Sequence, residues 1–274
     1  MARHPPGVKR FAAGRARALG LPTRGTTNPN RLRRIDRWLV GTPAITRVLA
    51  DAADPLVVDL GYGATPITTV ELRTRLRTVR QDVRVLGLEL DPDRVAAAAS
   101  AADPPWLEFR RGGFELAGAR PVLLRALNVL RQYEEPAAVA AWRTMADRLA
   151  PGGLLVEGTC DEIGRRCCWI TLDSTGPRTV TLACRPSDIS RPGDLAERLP
   201  KALIHRNVPG ERVHALLSEL DGCWAAAAPF APFGPRARWA ESVRLLAARG
   251  WPVLDRPRRW RLGEVTLTWS AVAP

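Results

Sequence analysis

Lysine is almost missing from this chain of 274 residues: Lys9 and Lys201 are the only two, so its 41 basic side chains are otherwise arginine. Heavy shared use of Arg, Ala, Pro and Gly has the look of a GC-rich genome, and part of the arginine excess is compositional. Cysteine is sparse too. The five thiols, Cys160, Cys167, Cys168, Cys184 and Cys223, are odd in number and form no C-x-x-C pair. That argues against the common zinc frameworks, even with His205 or His214 added, so reduced and mostly buried thiols are expected and no metal site. No apolar run approaches the length of a membrane span and the N-terminus has no h-region. Neither a transmembrane helix nor a secretory signal is therefore readable, and the cytoplasm is the expected compartment.

What is present is enough for a folded protein. Apolar residues make up 46% of the chain, which supplies a core for one large α/β domain with an insertion. The net charge of +13 is unevenly placed: residues 1–50 carry +10, residues 51–235 carry −2, and residues 236–261 carry +6. Concentration of this kind suggests a polyanion, with RNA the leading candidate, because phosphate contacts give sequence-independent affinity through counterion release. Residues 1–30 read as a basic mobile arm. From Arg31 the apolar Leu32, Ile35, Trp38 and Leu39 recur at helical spacing, with Arg33, Arg34 and Arg37 on the opposite face. A second helix is predicted at about Pro43 to Ala50.

The stretch Pro55 to Pro66 organises the rest. Leu56, Val57 and Val58 begin a buried strand that Asp59 and Leu60 close and that Gly61 and Gly63 break into a tight turn. Thr65 is the expected N-cap of the next helix and Pro66 its first residue. Glycines let backbone N–H groups approach a ligand, and the helix N-terminus adds partial positive charge. Pro66 stands where the dinucleotide fingerprint needs a third glycine, which argues against NAD or FAD. A second strand, Val83 to Glu89, again ends in an acid, at a distance from Asp59 that suits one β-α-β unit. Further strands are predicted at Trp106–Phe109, Pro121–Asn128 and Leu154–Thr159, the last two separated by a helix and a Pro151-Gly152-Gly153 turn. Cys167–Leu172 and Arg178–Cys184 read as a hairpin, followed by helices near Leu195–Leu203 and Val208–Leu220. A helix over Arg236–Arg249 and a closing pair, Val253–Leu254 with Val265–Trp269, end the chain. The expected fold is α/β: a doubly wound, mostly parallel sheet with an antiparallel closing strand pair, plus a hairpin-and-helix insertion. Its divisions are the arm at 1–30, a Rossmann-like core at 31–160, an insertion at 161–235 that could act as a substrate lid, and closing elements at 236–274.

Over residues 51–160 the motifs resemble those of class I S-adenosylmethionine-dependent methyltransferases, in which an acid ends the first strand and a G-x-G turn lies against the methionine part of the cofactor. The resemblance implies S-adenosylmethionine as cofactor and methyl transfer as activity. It puts Asp59, Gly61, Tyr62 and Gly63 at the methionine part and Glu89, with Asp91 second, on the ribose hydroxyls. Gly113 or Phe114 falls at the adenine, where relatives commonly carry an acid. Asn128 and Tyr133 would face the transfer site. A general base is optional; if one is used, Tyr133, Glu157, Asp161, Glu162, His205 and His214 are the candidates. The (D/N)-P-P-(Y/F) tetrapeptide of many base-amino methyltransferases is absent, which disfavours an exocyclic base nitrogen as acceptor. RNA and a small molecule both stand as acceptors, with charge favouring RNA. A noncatalytic cofactor-binding or RNA-binding protein on the same scaffold is the competing class. As a strand-end carboxylate, Asp59 is expected to add little to the core.

Overall fold

The computed structural model describes residues 27–274. Eight strands form one sheet in the order β3-β2-β1-β4-β5-β6-β7-β8. Five of them, β1 (Leu56–Leu60), β2 (Arg84–Glu89), β3 (Leu107–Arg111), β4 (Leu123–Leu127) and β5 (Leu154–Cys160), run parallel. Beyond them lie β6 (Arg166–Asp173), β7 (Gly176–Cys184) and β8 (Glu264–Thr268), each antiparallel to its neighbour. The chain enters at the centre, winds out through β2 to β3, and returns across β1 to β4. That reversal is the topological switch point of a doubly wound sheet, where the crevice beyond the carboxyl ends of the strands takes ligands.

Seven helices of seven residues or more cover the sheet among the described residues. They are α1 (Arg33–Val40), α2 (Pro43–Asp51), α3 (Ile67–Leu76), α4 (Pro92–Ala98), α5 (Glu135–Ala146), α6 (Arg212–Ala226) and α7 (Pro235–Ala248). Strand alternation divides the apolar residues between two layers. Val57, Leu123 and Val156 pack with Ile35, Leu49 and Leu72 of α1, α2 and α3. Val58, Leu124 and Leu155 pack with Trp142, Leu216 and Val243 of α5, α6 and α7. Both faces are thus buried over β1, β2, β4 and β5, which is why those strands carry apolar runs, whereas the edge strand β3 ends in the exposed Arg110 and Arg111.

The α/β class holds, with two differences of placement. The hairpin expected at the start of the insertion is part of the sheet: β6 pairs with β5 from Cys160↔Cys167 to Leu155↔Leu172, and β7 continues outward to β8. The physical reason is that β6 is buried on both sides from Cys167 to Leu172, and a strand apolar on both faces needs a layer on each. The helical segment after β7 forms such a layer and is not an outlying flap, since Leu195, Leu203, Leu216 and Leu220 share one apolar cluster with Ile170 and Leu182. The closing pair also differs. Glu264–Thr268 is a full strand, but Val253 contributes a single bridge to Leu267. Of the expected arm, residues 1–26 lie outside the described residues.

Candidate functional site

The turn after β1 is built as its glycines require. Gly61 and Gly63 take φ of 69° and 85°, values a side chain strains. Gly61 N–H donates to Leu88 O at 2.7 Å. Gly63 N–H donates to Glu89 Oε2 at 3.0 Å, and Leu90 N–H to Glu89 Oε1 at 2.9 Å. Glu89 is 1% exposed, with Arg94 Nη1 at 3.7 Å. Its carboxylate therefore binds the glycine turn to the end of β2. Asp91, the second choice for the ribose, caps α4 instead, accepting from Asp93 N–H and Arg94 N–H. The next helix starts one residue later than expected, with Pro66 at the N-cap. Thr65 does not cap it; its hydroxyl donates to Thr27 O at 3.3 Å, while Thr27 Oγ1 donates to Tyr62 O at 2.9 Å. The first described residue thus lies against the turn.

Asp59 corrects an expectation. It stands one residue from the end of β1, opposite Gly87 and Arg125 in the sheet, but it faces α1 and α3 and is bound into the core there. Arg125 donates to it through Nε at 2.9 Å and Nη2 at 2.7 Å, and Thr69 Oγ1 donates at 2.7 Å. Arg125 also reaches Thr68 O at 3.0 Å and, through Nη1, Asp36 of α1. Arg75 closes the group from outside, 2.8 Å from Asp36 Oδ2. Two acids and two arginines balance in the core, with Arg125 wholly buried. Burial works against the Arg125 guanidinium, but Asp59 and Asp36 together hold its pKa above the ordinary value. Burial also pushes the Asp36 carboxyl up to about 6, against the pull of both arginines.

Tyr62 turns into the protein. Its ring packs edge-on to Phe109 at 5.3 Å and its hydroxyl donates to Arg94 O at 3.3 Å. Burial, with Glu89 and Asp59 adding, keeps the phenol protonated well above its usual range. Phe114 is buried against Tyr133 with ring centroids 5.6 Å apart. Gly113 N–H donates to Glu115 Oε1 at 2.8 Å, and Glu115 Oε2 is a buried oxygen without a hydrogen-bond partner among the described residues. An orphaned acceptor here is what an adenine amino group would satisfy. The acid of this loop stands two residues after Gly113, visible in the sequence as Gly113-Phe114-Glu115.

Asn128, at the end of β4, has φ of 62° and commits both ends of its amide to Cys160: Nδ2 lies 3.2 Å from Sγ, and Oδ1 accepts from Cys160 N–H at 2.9 Å. It staples β4 to β5 at their carboxyl ends. A hydrogen bond from Cys167, its cross-strand neighbour, pulls the Cys160 thiol down to about 7 against burial, helped by the charge of Arg31. Asp161 folds the β5–β6 loop, accepting from the N–H groups of Arg165 at 2.8 Å and Arg166 at 3.1 Å, while its carbonyl takes Arg31 Nε at 3.0 Å. Glu162 is exposed, paired with Arg198 at 3.9 Å. Glu157 is buried beneath the Trp142 indole at 3.2 Å, and burial raises its carboxyl to about 8. His205 is exposed and His214 half-buried on α6. All five cysteines are free, and no group of three metal-ligating side chains occurs among the described residues. No described helix is long and apolar enough to cross a membrane.

The strand order and the glycine turn with its partner acid define a Rossmann-like α/β fold. No family model matches the chain, and no curated protein does. Solved structures similar to it include the CcbJ methyltransferase from Streptomyces caelestis, at 18% identity over 58% of this chain and 72% of that one, TM-score 0.36. Another is magnesium protoporphyrin IX methyltransferase from Synechocystis PCC 6803 with bound SAH, at 16% identity over 51% and 63%, TM-score 0.36. A pericyclic reaction enzyme matches at 19% identity over 44% of this chain and 32% of its own, TM-score 0.36. For other similar structures, the plantazolicin methyltransferase BamL among them, the matched part spans less than half of their length. Likeness this distant carries no chemistry.

Proposed function

We propose that this chain is an S-adenosylmethionine-dependent methyltransferase. The observation that carries the reading is the joint between Gly63 N–H and Glu89 at the switch point. It holds a carboxylate of the kind suited to a vicinal diol beside the glycine turn. Gly61 and Gly63 would receive the methionine part, Glu89 the ribose, and Glu115 Oε2 the adenine amino group. Asp59 and Tyr62 support the turn from behind. When bound, the cofactor supplies a methyl group made electrophilic by its sulfonium. The chain's task is then to orient an acceptor and exclude water. Asn128 and Asp161 shape the mouth by fixing the ends of β4 and β5, and neither is free to act as a base.

The test is calorimetric titration of the full chain with S-adenosylhomocysteine and with NAD. Micromolar binding of the first and none of the second is expected, with Glu89→Ala weakening it at least a hundredfold. Unchanged affinity in Glu89→Ala and in Glu115→Gln together would end the reading.

The acceptor is read from the N-terminal segment. Thr27 lies on the glycine turn and Arg31 on the β5–β6 loop, so residues 1–26, with six basic side chains and no acid, join the chain beside the transfer mouth. That placement keeps RNA as an acceptor beside a small molecule. Removing residues 1–26 should leave cofactor affinity intact and abolish salt-sensitive RNA binding; a full chain that binds no RNA at low salt makes the acceptor a small molecule.

A further inference from the structure

A cavity of about 810 Å³ opens far from the glycine turn. Its floor includes Leu154, the first residue of β5, whereas the transfer mouth lies at Cys160, the last. Six residues of strand separate them, on the order of 20 Å. The cavity opens on the α1 side of the sheet, at the outer limit of the cover that α1 lays over β6 through Trp38 and Trp169. There the floor is Thr171, Thr179 and Thr266, with the α1–α2 corner at Trp38 and Pro43 on one side and the segment 254–262 on the other.

Three observations point to a ligand. Thr171 is 8% exposed and its Oγ1 is buried with no hydrogen-bond partner among the described residues. A buried hydroxyl left unpaired costs free energy that a bound polar atom would recover. Charge is the second. Five arginines and one acid, Asp255, line the cavity, a net +4. Arg259 is engaged with Glu264 and the carbonyl of Trp38, and Arg178 with Asp173. Arg37, Arg256 and Arg258 are exposed and make no ion pair with any described residue. The third is shape: Trp38, Ile45 and Leu154 give the interior an apolar wall, and the volume is that of a small-molecule site.

We propose that this cavity binds a small organic anion, with a phosphate or carboxylate head at the arginine rim, an apolar body against Trp38 and Leu154, and a polar atom on Thr171. The site is independent of the cofactor reading. Its test is calorimetry on the full chain with octyl phosphate, octanoate, inorganic phosphate and a ten-nucleotide single-stranded RNA, each with and without S-adenosylhomocysteine. One molecule of octyl phosphate or octanoate per chain is expected, the tighter of the two naming the head group, with inorganic phosphate at least tenfold weaker because it lacks the body. Arg256→Ala combined with Arg258→Ala should weaken the probe at least tenfold and Thr171→Val several-fold, with S-adenosylhomocysteine affinity unmoved. The proposal is overturned by any of three results: no binding of the octyl probes at millimolar concentration, equal binding by the double arginine variant, or binding of the RNA alone.

Discussion

Asp59 on β1 and Thr171 on β6 lie on the same side of one sheet and keep different company. Asp59 has Arg125, Thr69 and, through Arg125, Asp36; Thr171 Oγ1 has no partner among the described residues. Over the parallel strands the helices α1 and α3 exclude water completely, so a polar group there survives only if other parts of the chain satisfy it. At Thr171, beyond the Trp38–Trp169 contact, that cover ends, and an unsatisfied hydroxyl lines a cavity. In the antiparallel half the buried Thr181 and Thr266 hydroxyls bond each other at 2.9 Å, and Thr171 is the exception that the chain leaves unpaired among the described residues.

The sharpest way to break this contrast is to remove a member of the ion group. Asp59→Ala leaves Arg125 buried with one acid fewer, and Arg125→Ala leaves two buried carboxylates; each should cost about 3–5 kcal/mol, read as a lower urea midpoint. A loss below about 1 kcal/mol in both would mean that water reaches the group. Glu157 gives a smaller effect that depends on pH. Its carboxyl is raised to about 8 in the folded protein from 4.5, so the folded state holds a proton that the unfolded chain releases between those values. The stability it contributes is fully present below about pH 4.5 and is lost as pH rises through about 8. Glu157→Gln should therefore gain on the parent protein between pH 5 and pH 9, by a few kcal/mol at most; a gain on acidification instead would reverse the assignment. Asn128→Ala comes next. It removes the bond from Cys160 N–H and puts alanine at a positive φ, and about 1–3 kcal/mol is expected, read as a lower urea midpoint. Smallest of all, Arg256→Ala should stay within about 0.5 kcal/mol of the parent protein. A larger loss would make the rim arginines structural and bring the two halves of the sheet closer in kind.

Much of the fold and of the glycine turn is legible in the residues. The strands announce themselves because Leu56-Val57-Val58 and Val85-Leu86 are apolar without interruption, and the pairing of Glu89 with the glycine turn comes from its place at the end of β2. Other features are hidden for physical reasons. Asp36 sits beside Ile35 on a helix studded with arginine and reads as a surface acid; only the fold brings Arg125, 89 residues on, against it. The hairpin formed by β6 and β7 is visible as a hairpin, but local sequence does not say which strand edge it joins. Its burial on both faces is the one clue. Thr65 has the look of a cap because the pattern Thr-Pro usually begins a helix, and here Thr27 takes its hydroxyl instead.

The ion group also bears on how the chain is made. Asp36 and Asp59 are both synthesised before Arg125, so a nascent chain that has not yet produced β4 holds two acids whose principal counter-charge does not exist. Leaving water unpaired is costly for a carboxylate. The helix α1 is the first described helix to be synthesised, and it is expected to take its final seat only once the fourth strand supplies Arg125. A fragment stopped at Leu124 should leave that helix as open to protease as a denatured chain, while extension through β4 and β5 restores its protection.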